Sequence, residues 1–265
     1  MSKLTSFKIE KNTLFNLSLR KFAAYFYHKF LEIKDRKFAF NGNLNYQWDK
    51  INFNRTALIN YIICNHPLGT NLSYLEIGTS SNQNFNSIPI INKTGVDPEM
   101  GGNVRSTSDD FFKSQNKKFD LIFIDGLHTY EQVKKDFINS IKVINDGGVI
   151  ILDDMIPRNW KEQQTPRIQS EWTGDVWKLL FDLKNLDGIY YKIILIDNGQ
   201  CVVFPRGIKL TEKFLLNDIK TKNFEYLYNN FKDLPVIELK EGLMWLKSCL
   251  INVYQLSVNN SNSVE

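Results

Sequence analysis

Phe119-Asp120-Leu121-Ile122-Phe123-Ile124-Asp125, followed further on by Gly148-Val149-Ile150-Ile151-Leu152-Asp153, decides the fold. Both stretches are continuous apolar runs rather than alternating ones, the pattern of strands covered on both faces in a parallel sheet. Between them, Val133, Phe137, Ile141 and Ile144 recur at helical spacing, and Asp146-Gly147-Gly148 supplies the stop. The segment therefore reads as one strand–helix–strand unit. Outward from it, Tyr74-Leu75-Glu76-Ile77-Gly78 and Thr94-Gly95-Val96-Asp97 read as two earlier strands. Downstream, Tyr191–Ile196 and Cys201–Phe204 flank Asp197-Asn198-Gly199-Gln200, whose Asn-Gly pair signals a hairpin and an antiparallel strand.

These elements predict an α/β class: a doubly wound, Rossmann-like sheet, mostly parallel with a C-terminal antiparallel strand. Residues 69–208 form the expected core, 1–68 a basic helical N-terminal cap and 209–265 a helical C-terminal addition, all in one compact unit. In the cap, Phe15, Leu19, Phe22, Ala23, Phe26, Phe30 and Ile33 make an amphipathic stripe. Its favoured role is to pack on the core; docking on an anionic membrane or polymer is the alternative. A second helix spans Arg55 to Cys64 and stops before His66-Pro67.

At 265 residues, 43% hydrophobic and 23% charged, the chain is too apolar to be disordered over most of its length. Cys64, Cys201 and Cys249 show no CxxC spacing, which argues against a zinc site or a disulfide framework and for a reducing cytoplasm. Residues 1–50 hold ten Lys/Arg against four Asp/Glu, while the remainder is net −2. No apolar run approaches the roughly 20 residues of a membrane span, and no signal peptide or transmembrane segment is expected. A net acidic core without an Asn/Asp-Pro-Pro-Tyr motif also speaks against nucleic acid as partner.

In such sheets ligands bind beyond the carboxyl ends of the strands. There the chain places Gly78-Thr79-Ser80-Ser81-Asn82 and, about twenty residues after the glycine, Asp97, where a carboxylate can take ribose hydroxyls. Asp125 and Asp153-Asp154 end neighbouring strands with no Arg or Lys in either motif, so three carboxylates converge and call for a cation. Oxygen ligands suit Mg²⁺. The plainer reading makes Asp153 or Asp154 a cap and Asp125 a backbone acceptor. His128 titrates near neutrality and suits a general base; a loop-bonding histidine is the alternative.

Glu76-Ile77-Gly78 resembles the first motif of class I S-adenosylmethionine-dependent methyltransferases, with Asn82 in place of the last glycine. The runs Ile124 to Val133 and Gly147 to Asp154 are similar to the macrocin-type sugar O-methyltransferases, which share their layout with catechol-type, metal-dependent enzymes. The resemblance covers roughly Tyr74 to Phe204. It implies S-adenosyl-L-methionine as cofactor, held by Glu76, Gly78, Thr79, Ser80, Asp97, Ser108, Asp109 and Asp125. It implies Mg²⁺ on Asp125, Asp153 and Asp154, and catalysis by His128 with Asp125. The implied acceptor is a hydroxyl of a sugar, glycan precursor or small metabolite, in a chain that could form a homo-oligomer. Met155 to Trp172 is the expected substrate wall or lid, and Gly174-Asp175 the capped start of the next helix. A metal-independent methyltransferase and a non-catalytic nucleotide- or glycan-binding module stay open beside this reading.

Overall fold

The apolar runs become the centre of an eight-stranded sheet in the computed structural model, which describes residues 21–44, 46, 50–210, 214 and 218–261. The strands are β1 (Tyr74–Ile77), β2 (Lys93–Asp97), β3 (Val104–Arg105), β4 (Phe119–Ile124), β5 (Ile144–Leu152), β6 (Asp187–Ile194), β7 (Gln200–Lys209) and β8 (Val236–Ile237). Their order is β3-β2-β1-β4-β5-β7-β6-β8, with β7 antiparallel to both neighbours and the remaining pairs parallel. The doubly wound, mostly parallel sheet is therefore as expected. One difference lies in the C-terminal addition, expected to be helical: Val236–Ile237 pairs in parallel with β6 and forms one edge of the sheet.

Alternate residues of the central strands bury on opposite faces. Leu121, Phe123, Val149 and Ile151 pack with Leu58, Ile59, Ile62 and Ile63 of the helix Arg55–Asn65, here α1. Ile122, Ile124, Ile150 and Leu152 pack with Val133 and Phe137 of the helix Tyr130–Val143, here α2. Each helix is closed at its start by a side chain: Asn54 accepts from the Ala57 N–H (3.0 Å) and Thr129 from the Gln132 N–H (3.4 Å). This double cover is why both strands read as unbroken apolar runs.

The register fixes where the polar ends fall. Ile77 lies beside Ile124, Ile124 beside Leu152 and Leu152 beside Cys201, so Gly78, Asp125, Asp153 and Gln200 line up along one sheet edge. Strand order reverses between β1 and β4, which places the crevice at Gly78 and Asp125. There the backbones nearly touch. Gly78 has φ +85°, and a Cβ on it would overlap the Asp125 carbonyl. Asn82, standing where the resembled motif has a glycine, takes the left-handed conformation itself (φ 65°), one that asparagine tolerates better than most residues.

Glu76 lies behind this edge, buried, accepting from the Tyr74 hydroxyl (2.6 Å) and the Asn84 amide (3.0 Å). Burial pushes its carboxyl up to about 7.

The aromatic stripe of the N-terminal cap does not pack on the core. In the helix described over residues 21–35, Phe22, Phe26, Phe30 and Ile33 are 55–72% exposed, and Leu31 on the opposite side is the residue buried against the body. The expectation favoured a core-facing stripe because periodicity shows that a helix has an apolar face, not which way it turns. Phe15 and Leu19 lie outside the described residues.

Two outcomes follow. Gly78→Ala forces β1 and β4 apart at their ends, and thermal unfolding is expected to show a loss of about 2 kcal/mol or more; an unchanged Tm contradicts the close approach. Glu76 is raised in the folded state, so its contribution is fully present below about 4.5 and is lost as pH rises to about 7. Glu76→Gln lacks that loss: across this window its Tm should climb relative to the wild type, and a gap independent of pH would refute the burial argument.

Candidate functional site

The strand ends open into a cleft of about 960 Å³. Gly78, Ser80 and Asp97 line one part of it, with Ser108 and Asp109 at the start of the helix Ser108–Ser114. The Ser80 N–H donates to Asp97 Oδ2 (2.9 Å), and the Glu99 and Met100 N–H groups donate to Oδ1 (2.8 and 2.9 Å). Burial opposes ionisation of Asp97, but these bonds outweigh it and hold the carboxyl below its usual range. Asn82 Oδ1 accepts from the Gly102 N–H (2.7 Å), tying the first turn to the loop after β2. Glu76 and Thr79, expected to bind cofactor, are buried and are not among the residues that line the cleft.

The acidic cluster sits at the other end of the cleft. Asp125, Asp153 and Asp154 do converge, but an arginine from α1 stands among them. Arg55 Nη1 lies 2.9 Å from Asp125 Oδ2 and is ion-paired with Asp153 Oδ2. A fourth carboxylate, Asp197 of the β6–β7 hairpin, accepts from the Arg55 backbone N–H (2.6 Å) and lies 3.6 Å from Nε. Asn198 donates to Asp154 Oδ1 (2.8 Å), and Gln200 to Asp153 Oδ1. The hairpin, read from sequence as a turn, is thus a buttress of the cluster. Burial and the neighbouring carboxylate push both Asp125 and Asp153 up to about 6. Burial works against the charge on Arg55, but the four carboxylates more than restore it, so the guanidinium stays ionised.

His128 completes the cluster. Its Nε2 lies 3.3 Å from Asp125 Oδ1 and its Nδ1 3.3 Å from Asp154 Oδ2. Burial lowers the affinity of the ring for a proton, yet its contacts with Asp125 and Asp154 win and bring it to about 9. Asp125, His128 and Asp154 offer ligand atoms within 4.8 Å of one another, whereas Asp153 is turned to Arg55 and Gln200.

The first half of the segment expected as wall or lid is packed, while residues 165–167 and 170–171 are exposed. Met155, Ile156, Trp160 and Ile168 are buried, as are Glu162, Gln163 and Gln164. Trp172 stacks on His128 with ring centres 4.9 Å apart and 12° between planes, and its Nε1–H donates to the Gln164 carbonyl (2.6 Å). Gly174 (φ +68°) lies so close that a Cβ would overlap the His128 carbonyl. Asp175, read from sequence as near the start of its own helix, instead accepts from the Tyr130 N–H (2.7 Å) and pairs with Lys178 (2.8 Å). It anchors the start of α2, two residues beyond His128.

Sequence reasoning missed Arg55, Asp197, Asn198 and Gln200. Arg55 carried one usable signal, its position as the first residue of a helix whose apolar face must cover β4 and β5. No helix among the described residues is long and apolar enough to cross a membrane.

The profile of a protein family described as a methyltransferase domain matches residues 75–155. An uncharacterized protein, R132 of Acanthamoeba polyphaga mimivirus, is 41% identical over 49 residues, 18% of this chain and 22% of that protein, so the match spans about a fifth of the relative's length. Among solved structures, an O-methyltransferase from Bacillus cereus in complex with SAH aligns at 12% identity, over 69% of this chain and 90% of that one, with a TM-score of 0.36. The methyltransferase PaMTH1 of Podospora anserina, bound to SAH, aligns at 14% identity over 51% and 71%, with a TM-score of 0.39. The MycE methyltransferase of the mycinamycin pathway, in complex with Mg, SAH and mycinamycin VI, aligns at 16% identity over 51% and 45%, with a TM-score of 0.36. Gly78, Asp97, Asp125 and the Asp153-Asp154 pair all fall within the stretch that matches this methyltransferase-domain family.

Proposed function

We propose that this chain is an O-methyltransferase that moves a methyl group from S-adenosyl-L-methionine to a hydroxyl of a sugar, glycan precursor or similar small metabolite. The observation that carries the reading is the joining, in one cleft, of an adenosine-type cradle at Gly78 and Asp97 to a half-buried basic group, His128, held between two carboxylates. The cradle suits the cofactor: Gly78 leaves backbone exposed at the strand-order switch, and Asp97 is kept ionised beside it. Gly78, Ser80, Asp97, Ser108 and Asp109 would hold it, and Asp125 lies at the boundary with the acceptor. When bound it supplies a methyl carbon on a sulfonium.

The residues of the chain then position and deprotonate the acceptor. Asp125 faces His128 Nε2 and Asp154 faces Nδ1, each at 3.3 Å, and the imidazole held between them is the group that would receive the hydroxyl proton. The bound cofactor would supply the methyl group that the acceptor oxygen takes, and His128 would take the proton that this oxygen gives up. Trp172 and the buried wall fix the ring and exclude water from its face. Arg55 presents positive charge beside the developing negative oxygen.

The Mg²⁺ set expected from sequence does not fit as it stands. Arg55 occupies the space between Asp125 and Asp153, and Asp153 spends its other oxygen on Gln200 and the Asp154 N–H. A second reading keeps a divalent ion on Asp125, His128 and Asp154, because their ligand atoms lie close enough together. Free Cys64, Cys201 and Cys249 accord with the cytoplasmic setting proposed here.

Titration calorimetry with the demethylated cofactor is expected to give saturable binding that Asp97→Ala removes; no heat in the wild type sinks the methyltransferase reading. His128→Ala should retain that binding and lose methyl transfer by about 100-fold or more, and normal turnover would return His128 to a structural role. Because His128 accepts a proton only when neutral, turnover should rise with pH up to about 9 and then level off. Activity in EDTA separates the two readings: it persists if Arg55 is the cation and vanishes if a divalent ion is required.

A further inference from the structure

We infer that Arg55 is the resident cation of this cleft, and that its guanidinium and a divalent metal ion exclude one another at Asp125 and Asp153. The inference deepens the proposed methyl-transfer site, since it names the group that carries the charge there, but it stands on separate observations.

The arginine is built in. It is the first residue of α1, and Asp197 holds it twice, accepting from its backbone N–H and facing its Nε. The side chain is thereby aimed at the sheet edge, where one nitrogen, Nη1, meets carboxylate oxygens of two different strand ends. Asp153 Oδ2 is fully buried and has no hydrogen-bond partner, so the Arg55 charge is what compensates it. A buried carboxylate without a counter-charge is strongly disfavoured, which makes this pairing a requirement of the site. A guanidinium also differs from a metal ion in function. It cannot leave the protein, binds carboxylates through N–H groups of fixed direction, and stays charged at every accessible pH. With 29% of its side chain exposed to the cleft, Arg55 can also hydrogen-bond an acceptor oxygen.

A metal that bound Asp125 and Asp153 would have to approach within a few ångströms of that guanidinium. Removing the positive charge while keeping the side-chain length should therefore create a metal site where the wild type has a poor one. The test is Mn²⁺ binding, followed by electron paramagnetic resonance on the full chain without cofactor. Arg55→Met is expected to bind Mn²⁺ about tenfold tighter than the wild type, or more. Arg55→Lys, which keeps the charge, should stay close to the wild type. Arg55→Gln serves in place of the methionine variant if that one does not fold, with far-UV circular dichroism and binding of the demethylated cofactor as the checks.

Equal or weaker Mn²⁺ affinity in the uncharged variants, with the wild type binding as well as they do or with none of them binding, overturns the inference. Failure of the methyltransferase reading would show elsewhere, as absent cofactor binding in the wild type, and leaves this comparison intact.

Discussion

Four carboxylates gathered at the ends of β4, β5 and the β6–β7 hairpin create a charge that the fold has to answer, and the Arg55 guanidinium is its central answer. Moving a carboxylate out of water costs several kcal/mol unless a cation or several donors meet it. Asp97 is met by three backbone N–H groups and so stays ionised on its own. Asp153 has one amide donor from Gln200 and one backbone N–H, and depends on Arg55 for the rest. His128, lodged between Asp125 and Asp154, supplies the second positive charge when protonated. The hairpin, the first turn of α1 and the strand ends are thus coupled electrostatically, although they lie far apart in the chain.

The second constraint is steric. At Gly78 and at Gly174 the backbone passes so close to the chain around Asp125 and His128 that no side chain fits. Both glycines hold positive φ, and both fix the loop that carries His128, one from the β1 side and one from the wall. Asp175 adds a bond to the start of α2. The histidine therefore sits on a short loop clamped at three points and stacked under Trp172. Such rigidity suits a group that must meet an acceptor at a defined distance.

Much of this was legible in the sequence, for identifiable reasons. Leu121 to Ile124 and Val149 to Leu152 are buried on both faces, so their apolar runs reveal a parallel sheet, and in such a sheet Asp125 and Asp153 must fall side by side. Asp97 and Gly78 were readable from their distance along the chain, which reflects one helical crossover. Arg55 was not, because it lies 70 residues from Asp125 and only the register of α1 on the sheet brings them together. Asp197 and Asn198 carried turn chemistry so plainly that their second role, in the cluster, left no separate mark. The orientation of the aromatic stripe at Phe22, Phe26 and Phe30 was likewise a tertiary fact. Glu76 and Thr79 matched a motif by type and position, and both are buried outside the cleft lining.

A double-mutant cycle across Arg55 and Asp153, read by equilibrium unfolding, tests the central claim most directly. If the guanidinium neutralises the buried carboxylate, Arg55→Met and Asp153→Asn each destabilise the protein, and the double variant is better than their sum by about 1–3 kcal/mol, because it leaves no buried charge alone. Additivity within about 0.5 kcal/mol would show the two groups to be energetically independent and would contradict the account.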